Sequence, residues 1–328
     1  MTAIRTDALT KRFGEDVLAV DGLDLAVDEG EVFGFLGPNG AGKSTTINTI
    51  LGFLQPTSGS VDVLGMDVTE ESLAIRRRIG LLPEGYEPYE NLTGREHVQS
   101  AIHAKGASDD PDELLDRVGL APDDARRAAS EYSTGMAKRM SLAVALVGDP
   151  DLLILDEPST GLDPDGVGLL REIIREEAAR GASVFFCSHI LEEVEKVCDR
   201  VGILNQGELV AVDTIENLRS EMGAGATVSV TLGAPPADLG VADLDDVRSV
   251  TVDDRRVDVE VSDATAKMRV LRHVDERATV RDVGIEEASL EALFDEFTSD
   301  APAAARETAG DAGSEREQVA AADGGESA

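Results

Sequence analysis

Cysteine is nearly absent from this 328-residue chain, which has only Cys187 and Cys198. Two thiols cannot build a disulfide framework or a four-cysteine zinc site. Basic residues are scarce too. Lys and Arg number 30 against 65 Asp and Glu, a formal net charge of −35, and only six of the 30 are lysines (Lys11, Lys43, Lys105, Lys138, Lys196, Lys267). So acidic a chain is unsuited to broad attachment to nucleic acid or anionic lipid, which draw Lys and Arg clusters. No basic-then-apolar leader opens the chain. Its longest notable uncharged stretch, residues 44–61, carries Gly52, Pro56, Gly59 and many hydroxyls, and is too polar to span a bilayer. These absences lead us to expect a soluble, cytoplasmic protein without nucleic acid as a partner. No internal repeat is evident, and the acids are spread over the whole chain, as expected of a surface adapted to high salt.

What is there points to a folded protein. Apolar residues make up 42% and charged residues 29% of the chain, a globular balance. At roughly 150 residues per domain the length allows about two domains. Over residues 1–220, short apolar runs alternate with helical periodicity, the pattern of an α/β domain with a mostly parallel sheet. Continuous apolar runs at 32–36, 152–155, 183–187 and 201–204 read as buried strands. Residues of about 86–148 are helical segments separated by Gly, Asp and Pro, an inserted helical subdomain. After Gly223-Ala224-Gly225, alternating strands at 227–232, 248–252 and 257–261 and a helix at 264–274 predict a small C-terminal α+β domain over 221–298. Ser289 can cap a last helix through Leu290, Leu293, Phe294 and Phe297. From 299 to 328 the composition falls to Ala, Gly, Ser, Asp and Glu, the signature of a disordered acidic tail.

Two segments carry chemistry by themselves. Gly37-Pro38-Asn39-Gly40-Ala41-Gly42-Lys43-Ser44 fits G-x-x-x-x-G-K-[ST], follows a predicted strand and opens a predicted helix at 45–54 that starts with Thr45. Glycines let such a loop wrap so that its amides face phosphate oxygens, and the helix N-terminus adds its positive dipole end. Lys43 would neutralise the β- and γ-phosphates, and the Ser44 hydroxyl would hold Mg²⁺. The strand at 152–155 runs into Asp156-Glu157-Pro158, which puts two carboxylates at the carboxyl end of a strand. Asp156 is a candidate Mg²⁺ ligand. Glu157 is a candidate base for water attacking the γ-phosphate.

With these motifs in hand, the sequence resembles the nucleotide-binding subunits of ATP-binding cassette (ABC) transporters over about residues 1–220. Tyr132-Ser133-Thr134-Gly135-Met136 stands where that family carries its signature, with Ser133 and Gly135 matching. The departures are similar to variants among drug- and antibiotic-export ATPases. Ser159-Thr160-Gly161-Leu162-Asp163 is similar to the loop that lies across the family's dimer interface, with Asp163 a nucleotide-site candidate. His189, after the strand at 183–187, sits at the spacing of the family's switch histidine, which contacts the γ-phosphate; His97, His103 and His273 read as structural. Phe13 matches the aromatic that stacks on adenine, although a core position would suit it almost as well. Glu84 stands where the family usually has Gln as a Mg²⁺-sensing residue.

The resemblance implies a P-loop NTPase core, ATP and Mg²⁺ as ligands, and ATP hydrolysis coupled to transport. One phosphate loop and one signature per chain imply a second nucleotide-binding subunit, such as a homodimer partner. They also imply a separate transmembrane permease and a position at the inner face of the cell membrane. An import ATPase is an alternative to the export type. A non-transport ABC ATPase is another, although the 113 residues from Lys43 to Asp156 hold no heptad run and no cysteine cluster.

Overall fold

The computed structural model describes residues 1–221, 226–236, 239–261, 266–287, 294, 297 and 298. Two long strands, β1 (Thr2–Phe13) and β2 (Val17–Asp28), precede β3 (Val32–Leu36) and α1 (Lys43–Ile50). Strands β4 (Ser58–Val63) and β5 (Met66–Asp67) lead through α2 (Ser72–Arg78) to β6 (Ile79–Leu82). Four helices follow: α3 (Gly94–Lys105), α4 (Pro111–Arg117), α5 (Pro122–Ala125) and α6 (Thr134–Leu146). The chain then alternates through β7 (Leu152–Asp156), α7 (Pro164–Arg180), β8 (Ser183–Cys187), α8 (Leu191–Val197), β9 (Arg200–Asn205), β10 (Glu208–Asp213) and α9 (Ile215–Glu221). Beyond it come β11 (Ala226–Leu232), β12 (Val247–Asp253), β13 (Arg256–Val261), α10 (Ala266–Asp275) and β14 (Val280–Glu287).

The central sheet has the order β10-β9-β3-β8-β7-β6. Every pairing in it is parallel except β9 with β10. Strands β3, β7 and β8 are buried along their whole length, which is why they read as continuous apolar runs. Successive side chains go to opposite faces. Leu153, Leu155, Val184 and Phe186 join the layer under the helices, whereas Leu152, Ile154, Phe185 and Cys187 pack toward the N-terminal sheet. A fully buried side chain of this size contributes about 1.5–3 kcal/mol, so both faces are strongly held.

The N-terminal sheet, β2-β1-β4-β5, is antiparallel and covers the second face. Bulges break the β1–β2 register, and β1 pairs with β4 across a long sequence separation, so no one strand carries the pairing in its own residues. Strands β6 and β10, at the two edges of the central sheet, were likewise not expected. Residues 86–148 carry α3 to α6 and no β-strand beyond an isolated Thr93–Ala128 bridge. The start of α3 is set by a capping box, in which Glu96 N–H donates to Thr93 Oγ1 at 3.2 Å and Thr93 N–H to Glu96 Oε2 at 2.8 Å.

The C-terminal strands form a separate antiparallel sheet, β12-β13-β11-β14. Its own core joins Val228, Val230, Val257 and Val259 to Val270 and Val274 of α10. Strand β14 is an addition to the expected elements. Phe294 and Phe297 pack against the core beneath the central sheet. The expected linker at 223–225, most of the last helix and the tail at 299–328 lie outside the described residues. Among the described residues no helix is long and apolar enough to cross a membrane.

Candidate active site

Parallel strands deliver their last residues to one edge of the sheet, and in an open α/β sheet that edge is where ligands bind. Strand β3 ends at Leu36 and passes into the 37–43 loop; β7 ends at Asp156; β8 ends at Cys187, two residues before His189. The result is a cavity of about 510 Å³. Gly37, Pro38, Asn39, Gly40, Gly42, Lys43, Ser44 and Thr45 form one wall, and Glu84, Asp156, Glu157 and His189 face them. Ala41 belongs to the loop but is buried at 3% exposure and does not line the cavity.

The loop's shape depends on Gly42. Its φ of 110° lies in the left-handed region, and a Cβ there would stand 2.3 Å from the carbonyl oxygen of Ala19. No side chain fits, so only glycine allows α1 to start where it does. The Lys43 ammonium donates to the carbonyls of Gly37 at 2.6 Å and Pro38 at 3.2 Å. It therefore sits across the loop mouth.

Opposite the loop, Glu157 adopts a left-handed φ of 47°, a conformation that costs a non-glycine residue about 1–3 kcal/mol. Its N–H donates to Cys187 O at 2.9 Å, tying the end of β7 to β8. The side chain meets His189, with Nδ1 of the ring 2.7 Å from Glu157 Oε2. An ionised carboxylate only accepts, so that contact assigns the ring proton to Nδ1 and turns Nε2 away. Glu157 is 7% exposed and Asp156 is 8% exposed. Burial first, and then Glu84 and Glu157, push the Asp156 carboxyl up to about 6, while Lys43 and Lys138 pull it back.

Three carboxylates and the Ser44 hydroxyl are hard oxygen donors, the class that suits Mg²⁺. Among the described residues no three His, Cys, Asp or Glu side chains are disposed to hold a metal by themselves. The protein thus offers a partial donor set, as Mg²⁺ sites completed by phosphate oxygens and water do.

Ser133, Gly135 and Asp163 are not at this cavity. They line a second one, of about 440 Å³, with Gly119, Met136 and Arg139. Ser133 caps α6, accepting from Met136 N–H at 3.3 Å, and Asp163 caps α7, accepting from Gly166 N–H at 2.9 Å. Arg139 donates to Asp163 Oδ1 at 3.1 Å and to Gly119 O at 3.1 Å. Backbone and Arg139 hydrogen bonds hold the Asp163 carboxyl below its ordinary pKa.

Phe13 is 43% exposed at the end of β1, and Lys11 Nζ lies 5.2 Å from its ring centre. It does not line the first cavity, but β2, the other arm of its hairpin, contributes Ala19 to the wall. Three participants escaped the sequence reading of the site. Ala19 and Phe294 line the cavity, and Lys138, buried on α6, feels the charges of Asp156, Glu157 and Glu84. Nothing local flags Ala19. For Lys138 a signal existed, since it lies on the same buried helix stripe as Ser141, Leu142 and Ala145.

A glycine loop opening a helix from a parallel strand, with a lysine at its mouth and acids on the neighbouring strand end, defines a P-loop nucleoside triphosphatase. The second cavity, with its serine-capped helix, narrows the class further. The ABC transporter family pattern matches residues 20–160. The chain is 38% identical over 309 residues to a daunorubicin resistance ATP-binding protein, DrrA3, of Streptomyces coeruleorubidus, covering 91% of this chain and 96% of that one. It is 41% identical over 224 residues to the bacitracin transport ATP-binding protein BcrA of Bacillus licheniformis, covering 66% and 72%. Among solved structures it is similar to an ATP-binding subunit of an ABC transporter, with TM-score 0.64, 32% identity, and coverage of 68% of this chain and 94% of that one. A second is a dimeric ATP-binding cassette in a post-hydrolysis state bound to ADP and Pi, with TM-score 0.59, 25% identity, and coverage of 65% and 98%. The chain belongs to the ABC transporter family as an ATP-binding subunit, and it is an ATPase.

Proposed function

We propose that this chain powers export of a small toxic compound through a separate membrane permease, working as one of two paired nucleotide-binding subunits at the inner face of the cell membrane. Support for export comes from the relatives, whose names speak of resistance to daunorubicin and transport of bacitracin. Support for pairing comes from the two separate cavities. The loop and the Ser133 helix end lie in different places on one chain, so an ATP held by one subunit's loop is closed over by another subunit's Ser133, Gly135 and Asp163. The 86–148 helical insert is the part we assign to the permease contact, and 221–298 to a small accessory domain.

In the reaction, Gly37, Asn39, Gly40, Gly42 and Lys43 cradle the phosphates, with Pro38 and Ala41 completing the turn. The amides at Ser44 and Thr45 add the helix N-terminus. Ser44 and Asp156, with Glu84, are the residues that would hold Mg²⁺, and the ion would supply positive charge against that developing on the phosphates. Glu157 accepts a proton from the attacking water as its oxygen bonds to the γ-phosphorus and the bond to the ADP oxygen breaks. His189, hydrogen-bonded to Glu157, keeps that carboxylate in register and directs Nε2 toward the γ-phosphate. Phe13 is the proposed adenine support.

The single observation that carries this reading is the 2.7 Å Glu157–His189 contact facing Lys43 across one cavity. Glu157→Gln tests it. The variant should bind ATP and form an ATP-dependent dimer in gel filtration, while phosphate release falls by about a hundredfold or more. Normal turnover in that variant would refute the assignment.

A further inference from the structure

Lys138 is one of six lysines in the chain, and it is only 9% exposed. It belongs to the face of α6 that packs on β6. The approach there is so close that the carbonyl of Ala145 would stand 2.1 Å from a Cβ added to Gly80. The lysine does not line the 510 Å³ cavity. Lys138 lies seven residues before Ala145 on that face, toward the carboxyl ends of the parallel strands β6 and β7, where Glu84 and Asp156 lie. Among the described residues it forms no direct ion pair or hydrogen bond, and the charges of Asp156, Glu157 and Glu84 act on it from that end. A buried ammonium is costly unless opposite charge compensates it, and the wall of carboxylates in front of it supplies that charge.

We propose that Lys138 is a positioning residue of the nucleotide site: its ammonium is the fixed counter-charge that lets Glu84, Asp156 and Glu157 stand together and still receive an anionic nucleotide. The inference rests on the MgATP site proposed above. Glu84, Asp156, Glu157, Lys43 and Lys138 together carry one net negative charge when all are ionised. Without Lys138 they carry two. A neutral residue at 84 would restore the balance, so the acid at 84 and the lysine at 138 belong to one arrangement. Lys138 acts from behind the wall, through the carboxylates, and its effect scales with the charge of what binds in front of them. Metal-free ATP, which is more negative than MgATP, feels its loss more.

The test uses the full chain and a fluorescent N-methylanthraniloyl ATP, titrated with Mg²⁺ and with EDTA. In Lys138→Met the metal-free nucleotide should bind about tenfold more weakly and its Mg²⁺ complex about threefold more weakly. Adding Glu84→Gln to that variant should return both affinities to within about twofold of wild type, and Lys138→Arg should stay near wild type. Glu84→Gln alone, which keeps the buried lysine, should tighten metal-free binding severalfold. It keeps the test decisive if Lys138→Met does not fold. An equal loss with and without Mg²⁺, no recovery on adding Glu84→Gln, or weaker metal-free binding in Glu84→Gln alone would overturn the proposal. A wild-type chain that binds no MgATP would instead refute the functional reading.

Discussion

Replacing Asp156 by Asn should make the nucleotide-free protein more stable, and the gain should grow with pH. The Asp156 carboxyl is raised from 3.8 to about 6 by burial and by its neighbours Glu84 and Glu157. Because its folded pKa is the higher one, the native state binds more protons than the unfolded chain between these values. Its contribution to stability is therefore present below about 3.8 and lost as pH rises through about 6. At 1.36 kcal/mol per pH unit, holding the ionised form costs about 2–3 kcal/mol at about pH 8 and about half of that at about pH 5. Asparagine removes the charge but keeps the shape. For a domain of this size that corresponds to a melting temperature about 4–10 °C higher at the upper pH. Thermal unfolding in EDTA at the two pH values reads the difference. If the variant melts at or below wild type at high pH, or the gap is the same at both, the carboxylate-cluster argument fails. Added MgATP should stabilise wild type far more than the variant, since the same carboxylate is the one suited to Mg²⁺.

Further outcomes follow from other parts of the molecule. Gly42→Ala forces a side chain into a left-handed position against Ala19 O. It should cost more than about 1 kcal/mol and abolish ATP binding at concentrations that saturate wild type, as read by fluorescence titration. Glu177 is 1% exposed and pairs with Arg117 at 2.8 Å and Arg180 at 2.6 Å. Because both arginines are partly exposed, Glu177→Ala should lose about 2–3 kcal/mol in denaturant unfolding, with turnover per folded molecule unchanged. We also propose that the net charge of −35 reflects a high-salt working environment. ATPase activity should then rise with KCl as the Debye length shrinks from about 10 Å at 0.1 M to about 3 Å at 1 M. A maximum at low salt in a fully folded sample would count against that origin.

Local chemistry accounts for what was legible beforehand. The 37–44 loop could be read because its glycines, lysine and serine act within eight consecutive residues, each dictated by the backbone path around phosphate. Asp156, Glu157 and His189 could be located because the strands before them are buried on both faces, and that burial writes itself as an uninterrupted apolar run. The same rule does not reach β1 and β2, which are not buried on both faces, or β4, whose partner β1 is distant in sequence. It also could not give the order β10-β9-β3-β8-β7-β6, which depends on crossovers and not on any strand's own residues.

By itself, then, the sequence determined the phosphate loop, the acids at the strand end and the acidic character of the whole chain, because each is a property of neighbours along the backbone. Tertiary structure alone decided which groups share a cavity. It brought Glu157 to 2.7 Å from His189 and Ala19 under Gly42, and it set the Ser133 helix end at a different cavity from Lys43. It also converted the scarcity of basic residues into something specific. Of six lysines, Lys43 lines the cavity that holds Glu84, Asp156 and Glu157, and Lys138 is buried on the face of α6 that packs on the sheet. The physical reason is that charge acts over distance in space, and the chain's own order carries no record of that distance until the sheet has assembled.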